Sequence, residues 1–141
     1  MPFTTELALP MASMMLLTLA VWVVMLMKRI PFMQANNIDV EQMKSPADVQ
    51  ALIPGAASAP ANNLRNMTEL PVVFYVVALY LTVFGQVDGV HVTCAWIFVG
   101  FRVLHSIIHC TYNSVMHRFL AYLVSSLTLW VMVVRAFLGA I

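Results

Sequence analysis

The sequence predicts an all-α integral membrane protein, one four-helix bundle in a single domain, and three observations predict it. Of 141 residues, 62% are hydrophobic and 9% charged, against roughly a quarter charged in an ordinary soluble domain. The apolar residues gather in four runs, each near the ~20 residues that cross ~30 Å of hydrocarbon. Four such crossings fill the chain and leave one long connection, with no internal repeat and no low-complexity tract.

The first crossing covers about residues 7–27 and is closed by Lys28 and Arg29. Its positive charges follow the apolar stretch, whereas a signal peptide carries them in front, so a retained helix is expected. Residues 30–62 form the long loop. Within it, Ser45-Pro46-Ala47-Asp48 has the composition of a helix start, with serine as cap, proline in the first turn and an acid at the positive dipole end. Pro54-Gly55 is expected to stop that helix after two turns. The second crossing, about 63–85, opens on NNLRNMTE and turns apolar. Pro71 is placed inside it, freeing the carbonyl of Met67 and producing a kink. The third crossing is expected at about 91–113 and the fourth at about 118–138, joined by connections too short to be domains.

Cation placement predicts orientation. Lys28, Arg29, Lys44 and Arg65 lie in or beside the long loop, and His117 and Arg118 flank the last short one. The opposite ends offer Glu6 and Asp88 against Arg135 alone. By the positive-inside rule the long loop is cytoplasmic and both termini lie outside. Trp22, Trp96 and Trp130 suit anchoring near the interfaces. Cys94 and Cys110 fall on one helix, too far apart along it for a disulfide within the chain.

Polar residues inside the spans carry the functional argument. At about 100° per residue, Arg102, His105, His109 and Asn113 share one face of the third helix, with Tyr112 at its edge. Asn62, Asn66 and Glu69 recur at helical spacing on the second, with Arg65 at the border. Arg118, Tyr122 and Ser125 do so on the fourth. Three polar stripes thus meet at one depth. An ionisable group inside a span costs at least ~2.5 kcal/mol on insertion scales, which points to a functional cavity. The structural alternative is an ion pair between Glu69 and Arg102 that fixes helix packing.

The run Arg65-Asn66-Met67-Thr68-Glu69-Leu70-Pro71, then Arg102-x-x-His105-x-x-x-His109, then Arg118-x-x-x-Tyr122 resembles the membrane-associated proteins in eicosanoid and glutathione metabolism, the MAPEG family. In spacing it is most similar to the prostaglandin E synthase branch. The resemblance spans nearly the whole chain and suggests a bacterial-type member. It implies a homotrimer with glutathione held between subunits near the cytoplasmic side, and a glutathione-dependent transferase or peroxidase acting on lipophilic electrophiles or hydroperoxides. Matching positions assign glutathione binding to Arg65, Asn66, Glu69, Arg102 and His105, to which His109, standing where relatives often have tyrosine, and Asn113 are added as members of the same stripe. Arg118 and Tyr122 take the catalytic role of stabilising the thiolate. The residue types suit the ligand independently, since two carboxylates need arginines and one ammonium needs an acid such as Glu69.

Two departures bear on substrate. Asn62 stands where many relatives carry arginine, and Phe119 stands where the prostaglandin branch has serine. Both argue against isomerisation of a prostaglandin endoperoxide.

Two rival readings accompany the enzyme. One is a non-catalytic accessory subunit of the same fold. The other is a metal site on His105 and His109, at i and i+4, with Glu69 as a third ligand; incomplete coordination favours no metal. No nucleic-acid partner is expected. The expected location is the bacterial inner membrane, with the site facing the cytoplasm. Gly100, Ser106, Ser125 and Ser126 are expected to allow close helix approach between subunits.

Overall fold

A computed structural model describes residues 5–141 and contains, among them, helices joined by turns and no strand. Helix α1 (Ala8–Ala35), α2 (Pro46–Leu52), α3 (Ala59–Asn66), α4 (Leu70–Val83), α5 (Gly89–Cys110) and α6 (Val115–Leu138) follow in order, with short 3-10 turns at Val40–Gln42 and Gly55–Ala57. Four stretches are long and apolar enough to cross a membrane: Ala8–Ala35, Gly55–Val83, Gly89–Cys110 and Val115–Leu138. Large apolar side chains including Leu16, Val76, Ile107, Leu127 and Phe137 stand exposed along them. Such a surface is far larger than the apolar patches tolerated in water and is the surface of an integral membrane protein.

The core lies where the helices converge. Phe74 of α4 stacks on Phe98 of α5 with ring centroids 4.5 Å apart, a geometry that adds to plain area burial. Met14, Leu81, Leu129 and Met132 close around them, fully buried. The antiparallel α5–α6 pair has the most extensive contact. Small residues explain its closeness: Ser106, Ser125 and Ser126 are all buried, and the last two donate their hydroxyls to the Tyr122 carbonyl. This corrects the expectation that these serines serve contacts between subunits. They are used inside the protomer, whereas a side-chain carbon added at Gly100 would meet nothing within 4 Å among the described residues.

Each end of the bundle is tied by polar contacts. At one end Asp88 caps α5, accepting from the His91 backbone N–H, and pairs with Arg135 of α6. Gln86 donates to the Gly139 carbonyl nearby. At the other end Lys28 of α1 donates to the Cys110 carbonyl at 2.6 Å, a cation on the negative end of α5.

Several boundaries differ from those expected. Helix α1 runs past Lys28 and Arg29 to Ala35, because the charges end the apolar stretch but are good helix formers. Pro31 is accommodated inside it. The loop helix α2 forms as expected, with Ser45 and Asp48 completing a capping box.

The largest correction concerns the second crossing, which is not one kinked helix. The chain leaves the helix after Asn66 and restarts at Leu70, with Pro71 in the first turn of α4. Proline is suited to that position, where its missing N–H has no intrahelical partner to lose. The intervening residues tighten into i→i+3 bonds, Thr68 N–H to the Arg65 carbonyl at 3.0 Å and Glu69 N–H to the Asn66 carbonyl at 3.4 Å. Helix α5 ends at Cys110 rather than near 113, and α6 begins at Val115 rather than 118. Asn113 therefore lies in the turn between them, in the left-handed region with φ 51°, which asparagine tolerates better than most residues.

Candidate functional site

The polar cluster is built on the α5 face that points inward. Arg102, His105 and His109 are all buried, Arg102 completely. Their spacing of three and four residues places them one above another on a helical face. The break between α3 and α4 supplies the opposite wall. There the Arg102 Nη2 donates to the Asn66 carbonyl at 3.1 Å and lies 3.9 Å from the Met67 sulfur. The arginine thus reaches a carbonyl whose ordinary helical partner the break removes. Apart from the long 3.4 Å bond from the Glu69 N–H, that carbonyl depends on the arginine, and in a bilayer a backbone carbonyl needs a partner within the protein.

Helix α6 forms the third wall. The Arg102 guanidinium carbon lies 6.0 Å from the Tyr122 ring centroid, at the outer range of a cation–π contact. The His105 ring lies 6.3 Å from the same tyrosine and 5.7 Å from the His109 ring. His105 Nδ1 faces the Arg118 carbonyl at 3.0 Å, and His109 Nδ1 faces the Ala59 carbonyl at 2.9 Å. A carbonyl oxygen only accepts, so Nδ1 carries the hydrogen in both rings and each Nε2 presents a lone pair when the ring is neutral.

The cluster is left unsatisfied within the protomer. Arg102 Nε and Nη1, His105 Nε2 and Ser106 Oγ are buried and have no hydrogen-bond partner. Arg102 lies one turn before both His105 and Ser106 on α5, so all three unpaired side chains belong to the same stretch of that helix. Buried polar groups are ordinarily paired, and a group of four unpaired ones calls for an occupant.

The remaining anticipated residues are distributed around this centre. Arg118 is half-buried at the start of α6 and donates to the Asn113 side-chain oxygen at 2.6 Å. Asn113 is exposed and stands off the buried stripe, because α5 has already ended. Asn66 is half-buried and joins the centre through its carbonyl. Glu69 is exposed at the start of α4 and forms no ion pair within 4.0 Å among the described residues, so the proposed structural pair with Arg102 does not form within the protomer. Arg65 is exposed and lines a separate cavity with α1 and α2 residues. Among the described residues, no three histidine, cysteine or acidic side chains gather at metal-binding distance.

One inward polar residue was not anticipated. Asn63 is fully buried, its amide nitrogen 3.7 Å from the Cys110 sulfur and its oxygen without a partner. The buried face of α3 and its end runs Ala59, Pro60, Asn63 and Met67. The apolar residues at 59, 60 and 67 carry that signal in the sequence, since 63 completes their helical spacing.

The comparisons with known proteins agree with this architecture at the level of the family. No curated protein and no solved structure matches the chain. Residues 7–138 match the profile of the MAPEG family, and with nearly the whole chain covered, this four-span membrane protein belongs to the MAPEG family.

Proposed function

We propose that the protein is a membrane-bound, glutathione-dependent transferase or peroxidase acting on lipophilic electrophiles or hydroperoxides. Membership of a family that includes glutathione transferases and peroxidases supports the reading. The observation that carries it is Arg102: a fully buried guanidinium with, among the described residues, Nε and Nη1 unpaired and no carboxylate within 4.0 Å. Such a cation fits an anionic ligand supplied from outside, because a guanidinium fork matches a carboxylate in two parallel hydrogen bonds.

Glutathione fits the donor set: Arg102 and Arg65 for its carboxylates, Glu69 for its ammonium, and Asn66, His105, His109 and Asn113 for its amides. When bound, it supplies a thiolate as nucleophile or reductant. Arg118, in the first turn of α6, adds its charge to the positive helix end and favours an anion there. Asn113 holds that guanidinium in place. Tyr122, one turn deeper, brings a hydroxyl that can donate to an anion or return a proton to a leaving group. The apolar outer surface admits lipophilic substrate from the bilayer. In this reading the protein acts as a homotrimer in which Glu69, exposed on its own protomer, completes a neighbour's cleft, and the site faces the cytoplasm of a bacterial cell.

A family that also contains non-catalytic members leaves the accessory subunit as the alternative. Titration calorimetry of the detergent-purified protein with glutathione separates the two. Heat of binding at micromolar to millimolar glutathione is expected. No heat together with no thermal stabilisation would sink the enzyme reading and favour the accessory subunit.

A further inference from the structure

Asn63 and Cys110 meet outside the Arg102 cluster, where α3 packs on the last turn of α5. Asn63 is fully buried, and its amide finds only a sulfur: Nδ2 lies 3.7 Å from Cys110 Sγ, and Oδ1 has no hydrogen-bond partner. A thiol accepts and donates weakly. An amide oxygen buried without a donor carries a desolvation penalty that an alanine or leucine at 63 would avoid. What the pair lacks is one good donor beside the sulfur.

The two cysteines of the chain differ in setting. Cys94 is buried within the apolar core. Cys110 is half-buried at the C-terminal end of α5, where a small reagent can approach it. Lys28 of α1 donates to the Cys110 carbonyl at 2.6 Å, bringing a cation to a helix end that otherwise disfavours an anionic sulfur. A neighbouring ammonium favours the thiolate, the nucleophilic form.

We propose that Cys110 is a site of reversible oxidation to a sulfenic acid by organic hydroperoxides, and that Asn63 holds the product. The thiolate attacks the distal peroxide oxygen, which passes with its hydrogen to the sulfur: an S–O bond forms, the O–O bond breaks, and the alkoxide takes a proton from water and leaves as the alcohol. Sulfur is oxidised by two electrons and the peroxide reduced by two. The new O–H is the missing donor for Asn63 Oδ1, while Nδ2 keeps its contact with the sulfur, so one amide serves both ends of the S–O–H group. A small thiol reverses the change. Its sulfur attacks Cys110, the hydroxyl departs as water with the thiol's proton, and a second thiol frees Cys110 from the mixed disulfide. The modification needs a hydroperoxide and no bound glutathione, so it does not rest on the proposed transferase or peroxidase activity.

The test uses the full chain in detergent, free of glutathione. Cumene hydroperoxide is added, sulfenic acid is trapped with dimedone, and the labelled peptides are quantified by mass spectrometry. Cys110 should be labelled about tenfold more than Cys94, as exposure and thiolate character require. Adding dimedone after a delay measures how long the sulfenic acid survives. Asn63→Leu, close in volume but without the amide, should lower the surviving label about fivefold, the weight of one hydrogen bond. The comparison of the two cysteines is made in the wild-type chain, so it stands whether or not the variant folds. The proposal is overturned if Cys110 takes no label, if Cys94 is labelled as strongly, or if the delayed label in a folded Asn63→Leu protein equals that of wild type.

Discussion

Replacing Arg102 with methionine tests the central claim, because it separates a ligand-binding cation from a structural one. In the ligand-free protomer the guanidinium is fully buried and makes one hydrogen bond to oxygen, to the Asn66 carbonyl at 3.1 Å. A bond from a charged donor contributes about 1.5–3 kcal/mol. Against it stands the desolvation of the cation, an effective penalty of several kcal/mol that no carboxylate offsets here. Methionine restores much of the volume without charge. Arg102→Met should therefore leave ligand-free stability within about 1 kcal/mol of wild type, or raise it, as happens when buried charges yield to apolar residues of similar size. Glutathione affinity should behave oppositely. Losing a charge-assisted contact of about 1.5–3 kcal/mol raises Kd roughly 10- to 150-fold. Denaturation of the ligand-free protein in detergent measures the first quantity and calorimetry the second. A fall in stability above about 2 kcal/mol with unchanged Kd would refute the reasoning and make Arg102 a packing element. Arg102→Lys keeps the charge but not the fork, so it should recover only part of the affinity.

Glu69→Gln should weaken glutathione binding by about 1.5–3 kcal/mol while leaving the fold intact, since Glu69 is exposed and unpaired in its own protomer; equal affinities by calorimetry would remove it from the site. Mixing inactive Glu69→Gln with inactive Arg118→Ala should restore part of the activity if the two residues meet across a subunit boundary. Native mass spectrometry showing monomers, or freely exchanging trimers without recovery, would dismiss the shared cleft. The Asp88 carboxyl is held below its usual value of 3.8, first by the His91 backbone N–H and further by Arg135. A group depressed on folding stabilises above its unfolded value and loses that contribution as pH falls through the folded one, so this contribution should be constant from pH 5 to 8 and disappear below pH 3.8. In Asp88→Asn that part of the acid transition should vanish, and an unchanged thermal stability profile against pH would contradict the assignment.

Part of the site was legible because local rules govern it. Arg102, His105 and His109 lie on one uninterrupted helix, where spacing alone sets the face, and all three are buried as that spacing requires. The same reasoning set Asn62, Asn66 and Glu69 on a common face, which holds only while one helix continues. The break after Asn66 ends that phase relation, leaving Glu69 exposed beyond it. Asn113 failed in the same way, by falling past the end of α5. The serines of α5 and α6 were legible as small residues but not as belonging to a contact within the protomer, because the same composition suits either interface.

The sequence by itself determined the solvent, the number of crossings, the capping of α2 and the identity of the polar face on α5. These follow from hydropathy, from the 3.6-residue period and from side-chain bonds that reach only three or four residues along the chain. Tertiary structure decided what meets that face. It turned Asn63 rather than Asn62 inward, set the break so that Arg102 reaches the Asn66 carbonyl, and kept Glu69 apart from Arg102. It also brought Arg29 and Arg65 to one cavity from positions 36 residues apart. The physical reason is that a helix's period sets which residues share a face, whereas its rotation against its neighbours depends on packing many side chains at once, a sum that no local pattern contains.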